Sequence, residues 1–384
     1  MVGKRRFKLR TILQSLLLLS GTTALMLLLA EGAVRLFTPQ YLRPVFREQV
    51  RGATYTRADL HARIASPGEF DTRANTTRQR FRGSRLYTAN PATGAHRIAV
   101  IGDSFVFGTG AEDDETFPSV LEARLARAEH LPIEVLNAGI HGSGTSDQVI
   151  WFDRWVKGFH PDLVILTVYG GNDVCDEIHN SRFTLAPDGI GVQLDSLAFE
   201  RQRLKARIQS VVLRIPGYHI LTQHSQLLYA IRVLATRILS RQHGEVAFDC
   251  AGGEVNAAAK AVDRIVAEVR WLRQRVEASG ARLVLVFIPS RRLVDPDRRS
   301  GAPALERELE VRLTREASRD GLPYLDLTRV ITERSHGNAG TLYFQHDDHM
   351  RPEGYHLVGE EVARFLTGND GAGVNHTTPG ASTH

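Results

Sequence analysis

From about residue 96 to 367, short apolar runs alternate with amphipathic stretches. Residues 98–101, 133–136, 163–168, 283–288 and 324–327 are β-branched or Leu-rich and bounded by turn formers, the pattern of strands buried on both faces. Between the first two, Phe117, Val120, Leu121 and Leu125 recur at helical spacing behind a Thr116 cap and a first-turn Pro118. Before the fourth run, Val262, Ile265, Val266, Val269, Leu272 and Val276 do the same. Strands that alternate with helices pair in parallel through right-handed crossovers, with helices on both faces of the sheet. The pattern predicts a three-layer α/β/α sandwich around a central parallel five-stranded sheet.

Three segments break this rhythm. Residues 177–253 carry helical patterns such as 227–239 but no strand signal, which predicts an insertion after the third strand, either a lid that sets substrate choice or a cover for the sheet. Residues 37–95 are rich in Arg, Thr, Pro and Gly with weak periodicity, as in a stalk or an extension packed on the domain. Beyond the predicted α/β domain of residues 96–367, residues 368–384 are small and polar and are expected to be disordered.

The start of the chain changes how the charge is read. The formal net charge is +5, but Lys4, Arg5, Arg6, Lys8 and Arg10 alone supply five positive charges with no acid among them. The remainder is formally neutral, so the basic balance gives no support for a nucleic-acid partner. These charges precede residues 12–30, an uncharged Leu-rich stretch of about 19 residues that, at ~1.5 Å per residue, matches the ~30 Å hydrocarbon core. Residues 1–36 are therefore expected to form a cytoplasmic basic flank and a transmembrane helix, with the rest of the chain periplasmic or otherwise extracytoplasmic. A cleaved signal peptide has a similar start. It fits less well, because cuts after Ala30 or Ala33 would place Leu28 or Glu31 where a small residue is wanted. An exported location would allow the only two cysteines, Cys175 and Cys250, to pair; two buried thiols are the alternative.

In an open α/β sheet, ligands bind beyond the carboxyl ends of the strands. Ser104 follows the first predicted strand in Gly102-Asp103-Ser104-Phe105, where the glycine would let the backbone bend and expose the hydroxyl. Asn137-Ala138-Gly139-Ile140-His141-Gly142 follows the second strand and Gly170-Gly171-Asn172-Asp173 the third. A Gly142 N–H and an Asn172 amide beside the Ser104 N–H would supply the donors a tetrahedral oxyanion needs, each worth about 10²–10³ in turnover. Taken singly, Ser104 reads more readily as a helix-capping or turn serine, Gly142 as a left-handed turn and Asn172 as an Asx turn. After the last strand comes His346-Asp347-Asp348-His349, which offers a base, His349, and an orienting carboxylate, Asp347. Asp348 is an alternative partner, Glu353 with His356 a further pair, and His346 with His349 a metal-binding alternative that lacks a second ligand cluster.

These blocks, in this order over about residues 97–367, resemble the SGNH/GDSL hydrolase superfamily, and with the anchor they are similar to its membrane-anchored bacterial members. The resemblance implies a flavodoxin-like sandwich with Ser104 as nucleophile, Ser104, Gly142 and Asn172 as the oxyanion hole, His349 as base and no cofactor or metal. Two positions depart from the common pattern: Phe105 stands where the motif name has Leu, and His346 occupies the place of the usual acid, so that Asp347 fits a shorter Asp-x-His form. The implied activity is hydrolysis of an acyl or acetyl ester, with an extracytoplasmic glycan as one substrate class. An O-acetyltransferase acting on an exported polysaccharide, or a catalytically silent envelope scaffold or binding module, would carry the same residues.

Overall fold

The five apolar runs form one sheet. The computed structural model describes residues 2–42, 44–128, 132–188, 191–200, 207, 211, 214–242, 255–295 and 304–368. The chain begins with α1 (Val2–Phe37), followed by two hairpins, β1 (Arg47–Val50) with β2 (Ala53–Thr56) and β3 (His61–Ser66) with β4 (Phe70–Asn75). The large sheet contains β5 (His96–Gly102), β6 (Ile133–Gly139), β7 (Leu163–Tyr169), β10 (Arg282–Ile288) and β11 (Tyr324–Asp326) in the order β6-β5-β7-β10-β11, all parallel. This 2-1-3-4-5 order is flavodoxin-like and has its switch point between β5 and β7, where the connections diverge and leave a crevice.

Alternate residues of these strands serve opposite faces. Ala99, Ile101, Val164, Leu166, Leu283 and Leu285 pack with α4 (Thr145–Arg154), α8 (Val255–Ala278) and α10 (Ala304–Asp320), through Val149, Val262, Ile265 and Leu309 among others. Ile98, Val100, Ile165, Val284 and Val286 pack against α3 (Phe117–Ala128), α11 (Thr328–Ser335) and α12 (Pro352–Thr367), through Leu121, Ile331, Val358 and Val362. Burial on both faces is why the strands read as continuous apolar runs rather than as alternation.

The short helices α2 (Ser104–Phe107), α5 (Asp173–Asn180) and α9 (Arg291–Val294) each start near the carboxyl end of a sheet strand. Between α5 and α8 lie β8 (Phe183–Leu185), β9 (Val192–Leu194), α6 (Tyr218–His224) and α7 (Gln226–Gln242). The antiparallel β8–β9 ribbon corrects the strand-free reading of this insertion; its three-residue strands are too short to carry a detectable period. Cys175 is disulfide-bonded, and Cys250, the other cysteine of the chain, lies outside the described residues, as does the tail after Gly368.

Residues 41–87 are packed on the domain. Phe46, Leu60, Ile64 and Ala74 are buried with Phe107 of α2, and Thr56 Oγ1 donates to the Gly139 carbonyl at 2.8 Å. The buried Arg82 guanidinium donates to the carbonyls of Phe107 (3.0 Å) and Ala111 (2.9 Å) and pairs with Asp113 at 2.6 Å, which clamps the chain that leaves α2. At the other end, α1 has a stretch, Thr11–Phe37, long and apolar enough to cross a membrane, with its apolar window uncovered by the rest of the chain. By length and composition it suits a membrane anchor or a signal sequence.

Candidate active site

Ser104 stands at the first position of α2, directly beyond β5. Asp103 caps that helix, its Oδ1 accepting from the Phe105 N–H at 2.8 Å, and the hydroxyl is thereby set at a fixed height above the sheet. Gly102 does not supply the sharp bend expected of it, since its φ lies outside the left-handed region. Its function is close approach: a Cβ there would meet Val106 Cγ2 at 2.3 Å and the Thr167 carbonyl at 3.1 Å. Burial pushes the Asp103 carboxyl up to about 6, against the opposing hydrogen bond from Phe105 and the attraction of His349.

His349 reaches Ser104 from a tight loop before α12. Tyr343 and Met350 pair as an antiparallel bridge, the Phe344 N–H donates to the His349 carbonyl at 2.8 Å, and Asp348 takes a left-handed φ of 65° to close the turn. His349 Nε2 lies 2.8 Å from Ser104 Oγ, while Nδ1 is hydrogen-bonded to Asp347 Oδ1. The side chain of Asp347 is 1% exposed and that of His349 12%, so the pair is shielded while the imidazole edge still meets the cleft. The ring of Phe105 stacks on one side of His349, with centroids 5.1 Å apart, and on Tyr169 at 3.7 Å. Glu353 and His356 line a different depression with Arg334 and His336, and the side chain of His346 is exposed.

The two other loops arrive at the same cleft, of about 620 Å³, whose lining includes Ser104, Gly142, Asn172, Asp347 and His349. Gly142 has a φ of 66°, the left-handed turn its residue type allows, and its carbonyl accepts from Arg47 Nη1 of β1. Asn172 Nδ2 donates to Asp176 Oδ2 at 3.0 Å, which leaves its second amide hydrogen for another acceptor. Burial pushes Asp176 up to about 7, with Arg47 pulling the other way and Asp103, Asp147 and Glu177 adding repulsion. Asp173 is also driven well above the usual carboxylate range, by burial first and then by Asp103, and its Oδ2 accepts from the Tyr169 N–H at 2.9 Å.

Several residues of this site gave no signal in the sequence. Glu69, in the turn between β3 and β4, accepts from the N–H of His346 (Oε1, 2.8 Å) and of Asp347 (Oε2, 2.9 Å). Arg291 Nη1 donates to the carbonyls of Phe344 (3.0 Å) and Gln345 (2.8 Å). Arg47 from the N-terminal hairpin and Tyr229 and Arg232 from α7 complete the rim. His141, between Asn137 and Gly142, stacks on Phe46 at 4.2 Å.

Comparison with known proteins places the chain in a family. The model of the GDSL-like Lipase/Acylhydrolase family matches residues 100–357. The chain belongs to this family. Esterase activity is the family's chemistry, and the span matched contains all five residues of the cleft set out above. No curated protein matches by sequence. Among solved structures, a putative lipolytic protein of the G-D-S-L family from Desulfitobacterium hafniense DCB-2 is 17% identical, with 70% of this chain and 99% of that one covered at a TM-score of 0.41. A lipase/acylhydrolase from Enterococcus faecalis is 16% identical, covering 71% and 95% at a TM-score of 0.35. An acetylxylan esterase from Geobacillus stearothermophilus is 11% identical, covering 71% and 92% at a TM-score of 0.39.

Proposed function

We propose that this family member is a serine ester hydrolase that works through an acyl-enzyme on Ser104. The observation that carries the reading is the unbroken relay from Ser104 Oγ to His349 Nε2 and from His349 Nδ1 to Asp347. His349 takes the hydroxyl proton as Ser104 Oγ attacks the ester carbonyl, and the Ser104 and Gly142 N–H groups with the Asn172 amide receive the oxyanion. Collapse of the intermediate expels the alcohol, which leaves with the proton held by His349. Water then enters, gives its proton to His349 and releases the acid from Ser104. Asp347 holds the imidazole in the tautomer with the proton on Nδ1 and balances the imidazolium. Glu69 and Arg291 act one step removed by fixing the backbone that carries Asp347 and His349.

The substrate is an acyl or acetyl ester, and an extracytoplasmic glycan ester suits the open, mixed polar and apolar cleft. α1 serves as a retained anchor, with the basic residues before it on the cytoplasmic side and the catalytic domain outside. The disulfide at Cys175 is in keeping with an oxidising compartment. Short-chain aryl ester hydrolysis by the full chain in detergent tests the chemistry. Ser104→Ala is expected to lower turnover by about 10⁴–10⁶-fold and to abolish covalent labelling by a fluorophosphonate. A wild-type chain that resists the probe would mark a silent site. Transfer to a glycan alcohol in excess of hydrolysis would replace the hydrolase with a transferase on the same residues.

A further inference from the structure

The uncharged stretch of α1 ends at Ala30, and the next residue is tied to the insertion. The Glu31 carboxylate accepts from Ser225 Oγ (2.8 Å) and from the N–H groups of Gln226 (2.9 Å) and Leu227 (2.9 Å). It thus serves free donors at the start of α7, a capping function supplied from a residue almost two hundred positions away. Arg35 Nη2 donates to the His224 carbonyl at 2.6 Å, and the Gln40 N–H donates to Gln226 Oε1 at 2.8 Å. From Thr11 to Pro39 the only partly covered residues are Ala30, Glu31 and Val34, so α7 meets α1 at its end and not along its length. A helix that crosses a bilayer puts the end of its apolar stretch at the headgroup boundary. The junction of α6 and α7 is therefore held at that level.

Around this junction the insertion exposes aliphatic side chains. Ile220 and Leu221 of α6 and Ile231 and Leu234 of α7 are each more than half exposed, and Leu36 and Phe37 at the end of α1 are more exposed still. The same α7 sends Tyr229 and Arg232 into the lining of the Ser104 cleft. One helix thus has a polar-tipped side toward the cleft and an aliphatic side toward the surroundings.

We propose that α6 and α7 rest on the bilayer that α1 crosses, with Ile220, Leu221, Ile231 and Leu234 about 5–10 Å into the headgroup and acyl boundary, so that the Ser104 cleft opens beside a lipid surface. This rests on α1 being a retained membrane-spanning helix. Continuity decides for lipid over a protein partner: the exposed aliphatic side chains adjoin the point where α1 leaves the membrane, and the Glu31 and Arg35 bonds fix them there. A free-standing apolar face would carry no such preference.

Nitroxide accessibility in the full chain tests this. Single cysteines replace Ile220, Ile231, Leu234, the α1 residue Leu18 and the exposed Arg329, and the chain is labelled without reductant and placed in phosphatidylethanolamine–phosphatidylglycerol nanodiscs. Circular dichroism melting confirms that each variant is folded. Labels at 220, 231 and 234 are expected to collide more with oxygen and less with a water-soluble nickel chelate than the label at 329, at a depth shallower than 18. If 18 is deep but 220, 231 and 234 behave like 329, the bilayer contact is wrong and the anchor stands. Labels shielded from both reagents would mean a protein occupant and overturn the proposal. An aqueous 18 would overturn both readings.

Discussion

The two loops that meet at the Ser104–His349 hydrogen bond are held in place by different means. The nucleophile turn is local: Asp103 caps α2, the N–H groups of Phe107 and Gly108 bond to the carbonyls of Asp103 and Ser104, and β5 is paired on both sides, with β6 and β7. The base loop is held from far away. Glu69 reaches its N–H groups across 277 and 278 positions, and Arg291 reaches its carbonyls across 53 and 54. A nucleophile on a strand end is fixed by the sheet itself, whereas a base on a loop beyond the sheet depends on whatever packs against it. Residues 41–87 are thus part of what aims His349, as well as a cover for α2.

The contrast can be broken most forcefully at its carboxylates. Asp347→Asn should lower kcat by about 10⁴-fold with little change in thermal stability, because the imidazole would be left in the wrong tautomer. A loss below tenfold would move the orienting role elsewhere. Asp176 tests the oxyanion side through stability. Its carboxyl is raised from 3.8 to about 7, so the folded state binds the proton more tightly than the unfolded one, and stability falls as pH rises through that interval. Asp176→Asn should therefore be neutral below about pH 4 and stabilising above about pH 7, by up to about 4 kcal/mol in urea unfolding. Equal effects at both pH values would show that burial of this group costs nothing.

Glu69→Gln keeps the shape of the side chain but replaces one of its two acceptor oxygens with a donor facing an N–H. A small misplacement of the base is worth about 10²-fold, so kcat should fall by about that factor while KM and Ser104→Ala background rates stay unchanged. An unchanged kcat would mean that the base loop holds itself. The smallest effect is expected at Asp348→Asn, which keeps a residue tolerant of the left-handed φ and should leave kcat within a few-fold. A loss matching that of Asp347→Asn would make Asp348 the working acid.

Most of the sheet was legible because its strands are buried on both faces, so residues 98–101 or 283–288 needed only composition and length to be found. Each observed strand apart from β11 runs at least to the end of its apolar run, and β5 and β6 extend into Gly102, Asn137 and Gly139, polar or small positions that hydrophobicity does not register. Residues 41–87 were not legible as hairpins. Their strands are only four to six residues long and mostly polar or small, too short for a decisive period, and Arg82 is buried only because carbonyls of the chain after α2 and Asp113 surround its guanidinium. Glu69 had no signal at all, since its partners are backbone N–H groups, which every residue but proline possesses.

The sequence by itself determined the five parallel strands, the family and the residues able to supply a nucleophile, a base and oxyanion donors, because periodicity and strand-end position are properties of neighbouring residues. Only the tertiary structure decided that Asp347 and not Asp348 faces His349, that Asn172 is braced by Asp176, that Glu69 holds the base loop, and that Arg47, Arg291 and α7 line the cleft. Those outcomes depend on a single left-handed φ and on contacts between residues far apart in the chain, and such long-range pairings leave no trace in local pattern.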